Sequence, residues 1–527
     1  MIDVLVVGAG PTGLALAAQV RAHGGRVRVV ERRTTPQASR AFVVHPRTLE
    51  MLTTLGVADE VIARGAPAVR IRLHAKGRVV GARLTSARGA HTPYPFLLPV
   101  PQAAVEDVLE QRLLAADIPV EHGVELTALR QNDQAVTCDL QGVGAHERAE
   151  ARYVVGCDGA DSTVRRQAGV AFPSRGYRPS LLLADLEIDG DLEPDALHGF
   201  VAGPGILFLF PSPTAASWRL LTVHPRGGGT GRPGPPVDLA TLQALVDPFT
   251  CGTLRLHEPA WASEIRLRRG QATRYRTGRV LLAGDAAHVH SPAGAQGMNT
   301  GIQDACNLGW KLALVTTGRA SARLLDSYQR ERWPVARRTR QLTDLAFLAE
   351  ADGHAVLRWL RHHVTPWLLP LVDGRSLPAP AFRLIGGLST RYRGSPAVEE
   401  GAPRLLRGPR AGDRMADGPV EVDGRPSRLL QVLAPPGFAL LLCGDGAVDH
   451  RVVAALQGDG LPLRVHRLSR RPAPGDLHDP GGRLLRRLGV SGSGVYLVRP
   501  DGYVAYRSRG PGLDGVAAYL AAISPPG

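Results

Sequence analysis

The chain lacks the features that would hold it together by disulfides or place it in a membrane. Its five cysteines are odd in number and contain no CxxC pair, which argues against a disulfide framework or a zinc site. They are Cys138, Cys157, Cys251, Cys306 and Cys443. No run of about 18 apolar residues occurs, and Met1 leads directly into a predicted strand. We expect reduced thiols, no metal, no membrane span and a cytoplasmic location.

Lysine and aromatic residues are also scarce. Only Lys76 and Lys311 occur among 63 basic residues, and aromatics make up 5% of the chain. The formal net charge of +15 could indicate a nucleic-acid partner. However, the arginines are scattered among acidic residues, and no basic run carries interleaved aromatic residues. We therefore expect no nucleic-acid partner.

A glycine-rich turn follows the first predicted strand, Ile2–Val7. It reads Gly8-Ala9-Gly10-Pro11-Thr12-Gly13 and opens a predicted helix, and the next strand, Val27–Val30, ends at Glu31. Glycines let the backbone approach a pyrophosphate, and the helix N-terminus offers N–H donors to it. Glu31 stands where a carboxylate can accept hydrogen bonds from ribose hydroxyls. This context predicts dinucleotide binding but does not separate FAD from NAD(P).

Two arginines directly after Glu31 leave an alternative open. Arg32 is a candidate cofactor contact, and Arg32 with Arg33 could meet the 2′-phosphate of NADP. We favour the interpretation that both are solvated surface charges.

A second glycine-rich segment indicates which dinucleotide is bound. The predicted strand Val280–Ala283 ends in Gly284-Asp285, and a loop of small residues leads into a helix predicted from about Ile302 to Thr316. Asp285 can accept hydrogen bonds from ribityl hydroxyls. The loop and helix start can direct N–H groups at the N1–C2=O edge of an isoalloxazine, which gains negative charge on reduction. The segment therefore favours FAD.

A third motif, Asp158-Gly159, follows a predicted strand that ends at Val155. Ser162 can cap the helix that begins there. By pattern alone, a structural turn is the simpler interpretation.

The three motifs, in this order, resemble the flavoprotein aromatic hydroxylases of the p-hydroxybenzoate hydroxylase class. The chain looks most like bacterial enzymes that hydroxylate aromatic polyketides in antibiotic pathways, and the resemblance covers essentially all 527 residues. Further matching segments are Arg40-Ala41-Phe42, His45-Pro46-Arg47-Thr48-Leu49-Glu50, Pro101-Gln102, Leu325-Asp326-Ser327-Tyr328 and Tyr496-Leu497-Val498-Arg499-Pro500-Asp501-Gly502.

The resemblance implies roles for individual residues. Non-covalent FAD is expected to contact Gly8, Gly10, Pro11, Thr12, Gly13, Glu31, Arg32, Arg40, Gln102, Asp158, Asp285, Pro292, Gly297, Met298 and Asn299. Pro292 and Arg40 are the catalytic candidates, because Pro292 is expected beside the flavin where the C4a-hydroperoxide forms. The apolar middle strands add Phe208, Phe210 and Trp218 as substrate contacts. His288 flanks the flavin turn, and we favour a structural role for it.

The resemblance also implies a fold and an activity. We expect an α+β protein with a Rossmann-like FAD-binding three-layer domain (1–175 and 265–400), an inserted antiparallel β-sheet substrate domain (176–264) and a thioredoxin-like C-terminal domain (401–527). Because the C-terminal region has no CxxC, we expect no thiol–disulfide chemistry there. Since the motifs all precede it, removal of the chain after about residue 405 is expected to leave an FAD-binding core.

The implied reaction is the hydroxylation of a polycyclic, polyketide-like phenol with O₂ and electrons from NADPH or NADH. Baeyer–Villiger oxygen insertion and a non-catalytic flavin-binding module remain alternatives. The assembly could be a homodimer.

Overall fold

The computed structural model describes residues 1–525 except 36–40, 76, 85–90, 203–204, 213–215, 225–236, 292, 352–373, 377, 445–449 and 459. Both predicted catalytic residues, Arg40 and Pro292, lie outside the described residues.

In chain order the strands are β1 Ile2–Val7, β2 Val27–Glu31, β3 Val43–Val44, β4 Arg70–Ala75, β5 Arg78–Arg83, β6 Leu98–Pro99, β7 Val120–His122, β8 Glu125–Gln131, β9 Val136–Gln141, β10 His146–Gly156, β11 Ser174–Asp189, β12 Ala196–Ala202, β13 Gly205–Pro211, β14 Trp218–His224, β15 Arg255–Gln271, β16 Arg276–Thr277, β17 Val280–Leu282, β18 His288–Val289, β19 Glu399–Glu400, β20 Pro419–Val422, β21 Arg425–Arg428, β22 Phe438–Cys443, β23 Leu463–Ser469, β24 Leu477–His478, β25 Gly494–Val498 and β26 Val504–Arg509.

The helices are α1 Pro11–Ala22, α2 Pro46–Thr53, α3 Ala58–Ala63, α4 Gln102–Leu114, α5 Thr163–Gln167, α6 Leu239–Thr250, α7 Gln296–Thr316, α8 Asp326–Ala351, α9 Ala379–Ile385, α10 Leu429–Val432, α11 His450–Gly458, α12 Arg483–Arg487 and α13 Asp514–Ile523, with 3-10 turns at Gly284–Ala286, Ala293–Ala295 and Ala322–Leu325.

The first sheet carries the glycine-rich turn. Its parallel strands run in the order β17-β10-β1-β2-β7, with β16 antiparallel at one edge and β8 and β9 forming a side branch on β10. Every residue of β1 after Ile2 is buried, as expected for a parallel strand covered on both faces. Helix α1 packs closely on α7, since a Cβ on Gly309 would lie 2.4 Å from the Cβ of Gln19.

The second sheet, β18-β15-β11-β14-β13-β12-β4-β5, is mostly antiparallel. It is larger than the predicted range 176–264, because β11 and β15 extend beyond that range and β4 and β5 come from residues 70–83. Strand β4 pairs in parallel with β12, with Arg70 opposite Ala196. The sequence pattern of β4 did not assign it to this sheet because its partner is distant in the chain and its side chains are mostly half-buried.

The third sheet, β19-β26-β25-β22-β23-β24-β20-β21, lies in the C-terminal region. Its central strand β22 is buried along its whole length, and it pairs in parallel with β23 and antiparallel with β25. Cys443 ends this strand as a buried free cysteine.

Buried ion pairs join the C-terminal region to α7 and α8. The ion-pair network consists of Lys311 on α7, Glu331 on α8, and Arg499 and Asp501 after β25, and the side chains of Lys311, Glu331 and Arg499 are fully buried. Arg499 donates to both carboxylate oxygens of Glu331 at 2.6 and 2.9 Å, and Lys311 Nζ lies 2.8 Å from Glu331 Oε2. Buried charges are tolerated when they are paired in this way. The C-terminal region therefore supplies charges that the first domain needs.

None of the described helices is both long enough and apolar enough to cross a bilayer.

Candidate active site

The glycine-rich turn after β1 has the close contacts that its sequence predicts. Gly8 has φ +105°, and a Cβ there would lie 2.4 Å from the carbonyl oxygen of Cys157. A Cβ on Gly13 would lie 1.9 Å from the carbonyl oxygen of Gly8. At Gly10, by contrast, the nearest atom to an added Cβ is Glu106 Oε1 at 3.9 Å. Close packing of the backbone therefore requires glycine at positions 8 and 13, whereas Gly10 leaves open space of the kind a pyrophosphate needs.

Glu31 ends β2 and points back to this turn. Its Oε2 accepts a hydrogen bond from the backbone N–H of Ala9 at 2.9 Å, and its Oε1 accepts from Nε of Arg33 at 2.9 Å. Burial alone would raise the pKa of Glu31, but the hydrogen bonds from Arg33 and Ala9 hold it below its ordinary value. Glu31 is therefore a fixed carboxylate beside the turn. Arg33 forms an ion pair with it, and the exposed Arg32 lies 3.7 Å from Glu125.

The second glycine-rich segment is brought against the first. Gly284, which follows β17, would place a Cβ 2.5 Å from Thr12 Oγ1, and Gly301 on α7 would place one 2.2 Å from the same atom. The side chain of the neighbouring Asp285 is exposed. Because β1, β10 and β17 are parallel and adjacent, all three motifs meet at the carboxyl ends of these strands, where α/β sheets bind ligands.

Asp158 has a structural role that its pattern alone suggested. Its carboxylate accepts hydrogen bonds from the Ser162 hydroxyl and, at 3.0 Å, from the backbone N–H of Val164. Ser162 in turn caps α5 by accepting from the backbone N–H of Arg165 at 2.9 Å. The carboxylate thus holds the turn after β10 in place.

The start of α7 offers a second open space. Within the described part of the chain, a Cβ on Gly297 would meet no atom within 4 Å, and the N–H groups of the first helical turn have no partners within the helix. Met298 is buried beside it. Together with the space at Gly10 and the exposed Asp285, these features fit FAD stretched between the two glycine-rich segments.

Asn299 is also in the first turn of α7, but its side chain is already occupied. Its Oδ1 accepts from the backbone N–H of His45 at 2.8 Å, and its Nδ2 donates to the carbonyl oxygens of Val43 and Ala295, both at 2.8 Å. The side chain therefore fastens β3 to α7, and a flavin could be contacted by its backbone only.

A buried carboxylate on α7 supports the turn that carries Asp285. Asp304 Oδ2 accepts from the backbone N–H of Gly284 at 3.1 Å and lies 2.6 Å from Nε2 of His288. Its Oδ1 accepts from Nε of Arg332 at 2.6 Å. Although burial would raise the pKa of Asp304, the charges of Arg332 and His288 hold it below its ordinary range. These contacts agree with the structural role favoured for His288.

An aromatic cleft lies between the first domain and the second sheet. Phe42, just before β3, meets Phe210 of β13 edge to face with ring centroids 4.5 Å apart, and Phe208 lies 6.1 Å from Phe210. Phe42, Phe210 and Pro101 line the cleft together with Arg219. Two of the three predicted substrate contacts therefore share one face of the second sheet.

Trp218, the third predicted substrate contact, lies on the opposite face of that sheet. It packs with Phe200, Leu207 and Leu242 of α6, and its ring centroid is 5.5 Å from that of His198. Since side chains alternate along β13 and β14, residues that the sequence places close together can face opposite sides. The structure does not bring Trp218 to the cleft.

Arg219 is a residue that the sequence did not single out. Its guanidinium makes two 2.6 Å hydrogen bonds to the carboxylate of Asp185 and lies 5.3 Å from the Phe42 ring. Among the described residues, its buried Nη1 has no hydrogen-bond partner. Buried donors are nearly always satisfied, so this nitrogen is available to an acceptor in the cleft. The only signal in the sequence was an arginine within a mostly apolar strand.

Gln102 begins α4 near the same cleft. Its Nε2 donates to Oε1 of Glu106 at 2.8 Å, and its backbone N–H donates to the carbonyl oxygen of Ala41 at 3.0 Å. Burial raises the pKa of Glu106, which lies opposite Gly10. Gln102 and Glu106 therefore form one wall of the space beside the glycine-rich turn.

Comparisons with known proteins cover nearly the whole chain. A family model described as an FAD binding domain matches residues 1–343, and one described as aromatic-ring hydroxylase, C-terminal, matches residues 408–524. The 6-methylpretetramide 4-monooxygenase of Streptomyces rimosus is 36% identical over 99% of this chain and 93% of its own length.

Solved structures agree with this match. The OxyS anhydrotetracycline hydroxylase from Streptomyces rimosus is 30% identical, with a TM-score of 0.77 over 100% of this chain and 99% of its own. Aklavinone-11 hydroxylase, solved in a ternary complex with FAD and aklavinone, is 27% identical with a TM-score of 0.78 over 98% of both chains. The chain described here therefore belongs to the FAD-dependent aromatic-ring hydroxylases, which are monooxygenases.

Proposed function

We propose that this protein hydroxylates a polycyclic, polyketide-like aromatic substrate that carries oxygen functions, with O₂ as oxidant and NADPH or NADH as electron donor. The observation that supports this most directly is the buried, partly unpaired guanidinium of Arg219 at the edge of the aromatic cleft. Relatives whose names mention tetracycline precursors and aklavinone support the same substrate class.

The cleft has only about 10 Å³ of free space, so a flat molecule with a polar edge would have to separate the Phe42 and Phe210 rings as it binds. Phe42 and Phe210 offer aromatic surfaces to fused rings. Arg219, oriented by Asp185, can donate from Nη1 to a carbonyl, phenol or phenolate oxygen, and a charged donor in a buried site makes a strong hydrogen bond. The guanidinium would therefore set which edge of the ring system enters first.

Some of the residues assigned to the cofactor site would contact FAD, and others hold the turns that present these contacts. FAD supplies electron transfer and oxygen activation when it is bound. We assign Gly10 and Gly297 to the open spaces that admit it, Glu31 to the ribose and Asp285 to the ribityl chain. The backbone N–H groups at the start of α7 would face the pyrimidine edge of the flavin. Asp304 and Asp158 hold the two turns that present these contacts.

The predicted catalytic residues Arg40 and Pro292 remain proposals. Both follow from the family resemblance alone. Gln102, Arg32 and Asp158 likewise remain proposed FAD contacts.

We further assign the C-terminal region to a thioredoxin-like domain. Strands β22, β23, β25 and β26 with helices α11 and α13 follow the order β-α-β-β-β-α, and the parallel pairing of β22 with β23 and antiparallel pairing of β22, β25 and β26 fit that fold. Burial raises the pKa of Cys443 far above its ordinary value, so this thiol is held protonated. The domain's role is structural, through the ion-pair network.

The test is a panel of aromatic polyketides, assayed by NADPH oxidation and by the mass of the product. The expected result is one added oxygen atom with the ring system intact, and NADPH consumption matched by product rather than by H₂O₂. Arg219→Leu should raise KM far more for substrates with an acceptor oxygen than for those without one, whereas Arg255→Leu, at an exposed strand start, should not. If NADPH and NADH fail to reduce the flavin in the presence of every substrate tested, the proposal is refuted.

A further inference from the structure

A second cavity lies between the C-terminal region, α9 and the loop before β6, and it is strongly cationic. It has a volume of about 220 Å³ and is lined by Arg383 of α9, Arg487 of α12, Arg391 and Arg414, with His91 beside them. Asp413 is the only acidic residue among the described lining residues.

Most of the nearby carboxylates are already matched with other cations. Glu50 accepts two 2.6 Å hydrogen bonds from Arg414. Asp413 accepts two from Arg393, at 2.8 and 2.6 Å, and lies 3.8 Å from the exposed Arg391. The negative charges of Glu50 and Asp413 are therefore largely neutralised by these arginines and do not balance the other cations of the cavity.

Two guanidinium groups remain without a carboxylate partner in the described part of the chain. Arg383 forms no ion pair there, and its Nε is buried without a hydrogen-bond partner. Arg487 donates to the carbonyl oxygen of Asp417, whose carboxylate is bound by Arg428. Both side chains are half-buried. Two cations that line one cavity without a carboxylate partner favour the binding of an anion there.

The electrostatics of neighbouring groups agree with this excess of positive charge. Burial and the nearby guanidinium groups of Arg487, Arg383 and Arg414 lower the pKa of His91 to about 4. Burial, Arg414 and Arg391 also lower the pKa of Arg383. An anion in the cavity would relieve the mutual repulsion of these groups.

We propose that this cavity, between the first domain and the C-terminal region, binds a phosphate monoester or free phosphate through Arg383 and Arg487. The two unmatched guanidinium groups balance the two negative charges of such a dianion, and their planar N–H pairs match phosphate oxygens. A carboxylate, with one negative charge, would leave one of these cations uncompensated.

The cavity is connected to the flavin cradle by α9. Ile385, two residues after Arg383, accepts a hydrogen bond at its carbonyl oxygen from Nε2 of Gln296, the first residue of α7, at 3.3 Å. The carbonyl oxygen of Gly386 accepts from the backbone N–H of Arg47 at 3.1 Å. The phosphate could accordingly belong to NADPH as its 2′-phosphate, or be free phosphate, and the experiment separates these sources.

The first measurement uses the FAD-loaded protein without turnover, so that its outcome does not depend on the proposed hydroxylation. Orthophosphate and 2′,5′-ADP are titrated by calorimetry at constant ionic strength, with chloride as the control anion. At least one probe should bind and raise the thermal midpoint. Arg383→Gln with Arg487→Gln should weaken that binding by about tenfold or more, whereas the exposed Arg486→Gln on the same helix should leave it unchanged.

The single variant Arg383→Gln is the folding control. Because Arg414 and Arg391 repel the Arg383 guanidinium, its thermal midpoint without phosphate should equal or exceed that of the unsubstituted protein. A lower midpoint for Arg383→Gln would contradict the view that Arg383 lacks a carboxylate partner. No binding of either probe, or equal binding by the double variant, would overturn the proposal.

Steady-state kinetics then identify the source of the phosphate. A higher KM for NADPH with an unchanged KM for NADH in the double variant assigns the site to the 2′-phosphate of the nucleotide. Orthophosphate binding with both KM values unchanged assigns it to free phosphate.

Discussion

Replacing Arg499 by methionine tests whether the C-terminal domain holds the flavin domain together. The substitution keeps most of the side-chain volume but removes the hydrogen bonds of Arg499 to Glu331 and Asp501. It leaves Glu331, whose side chain is 0% exposed, with Lys311 as its remaining cation. Breaking a buried ion pair by removing one partner costs about 3–5 kcal/mol, a large part of a typical total stability of about 5–15 kcal/mol.

The expected result is a thermal midpoint lowered by about 3–5 °C, with FAD released at the lower temperature. Circular dichroism follows unfolding and flavin fluorescence follows release. Arg509→Met, at the exposed end of β26, is the matched control and should change stability by less than about 0.5 kcal/mol. Equal midpoints for Arg499→Met and the control would refute the role given to the network.

The effect of pH supplies a second test with a defined sign. Burial alone would raise the pKa of Glu331, but the charges of Arg499 and Lys311 hold it well below its usual range. A depressed carboxyl pKa contributes stability that is present above the unfolded pKa and is lost as the pH falls through the folded pKa. In Arg499→Met the pKa of Glu331 rises, so protonation relieves the uncompensated charge. The stability gap to the unsubstituted protein should be widest near neutral pH and narrow as the pH falls through the carboxyl range.

Four further outcomes are expected. Asp285→Ala should weaken FAD binding by about 2–3 kcal/mol, measured by flavin retention on dilution, and full retention would count against its role at the ribityl chain. Gly297→Val should weaken FAD binding without lowering the thermal midpoint of the apo-protein, because its Cβ would enter open space. Gly8→Ala, by contrast, should lower the thermal midpoint of the apo-protein. The opposite pattern would contradict the assignment of the space at Gly297 to FAD. Phe210→Ala should raise KM for the aromatic substrate while leaving FAD content intact. In anaerobic stopped-flow experiments, the true substrate should speed flavin reduction by NAD(P)H, because it shifts the isoalloxazine ring between a position for reduction and one for oxygen transfer. Equal reduction rates with and without the substrate would refute this gating.

The predictions from sequence succeeded where the physical cause is local. The turn Gly8–Gly13 and the strand ending at Glu31 were predicted because glycine spacing and an apolar run determine them within one βαβ unit. Helix α7 was predicted to begin at about Ile302 but begins at Gln296. Its early glycines suggested a loop, whereas Gly301 in fact allows close approach to Thr12.

Contacts between distant residues could not be predicted. Arg499 and Glu331 are 168 residues apart, and no periodicity relates them. The motifs alone therefore suggested that the chain before residue 405 would keep FAD by itself. That expectation stays a prediction. The ion-pair network adds that the truncated chain should be less stable, since Glu331 would lose Arg499 and keep only Lys311. The role of Arg219 could not be predicted for the same reason, because its partner Asp185 lies on a different strand of the same sheet.

The side chain of Asn299 has a consequence for how the range of substrates can change. It joins β3, which carries Phe42 at its edge, to the first turn of α7, where the flavin is expected. A mutation that reshapes the Phe42 side of the cleft therefore also disturbs the cofactor cradle. Phe208 and Phe210 stand on a separate sheet without that link. Selection for new substrates should accordingly accumulate changes along β13 and leave Phe42 and its supporting amide untouched.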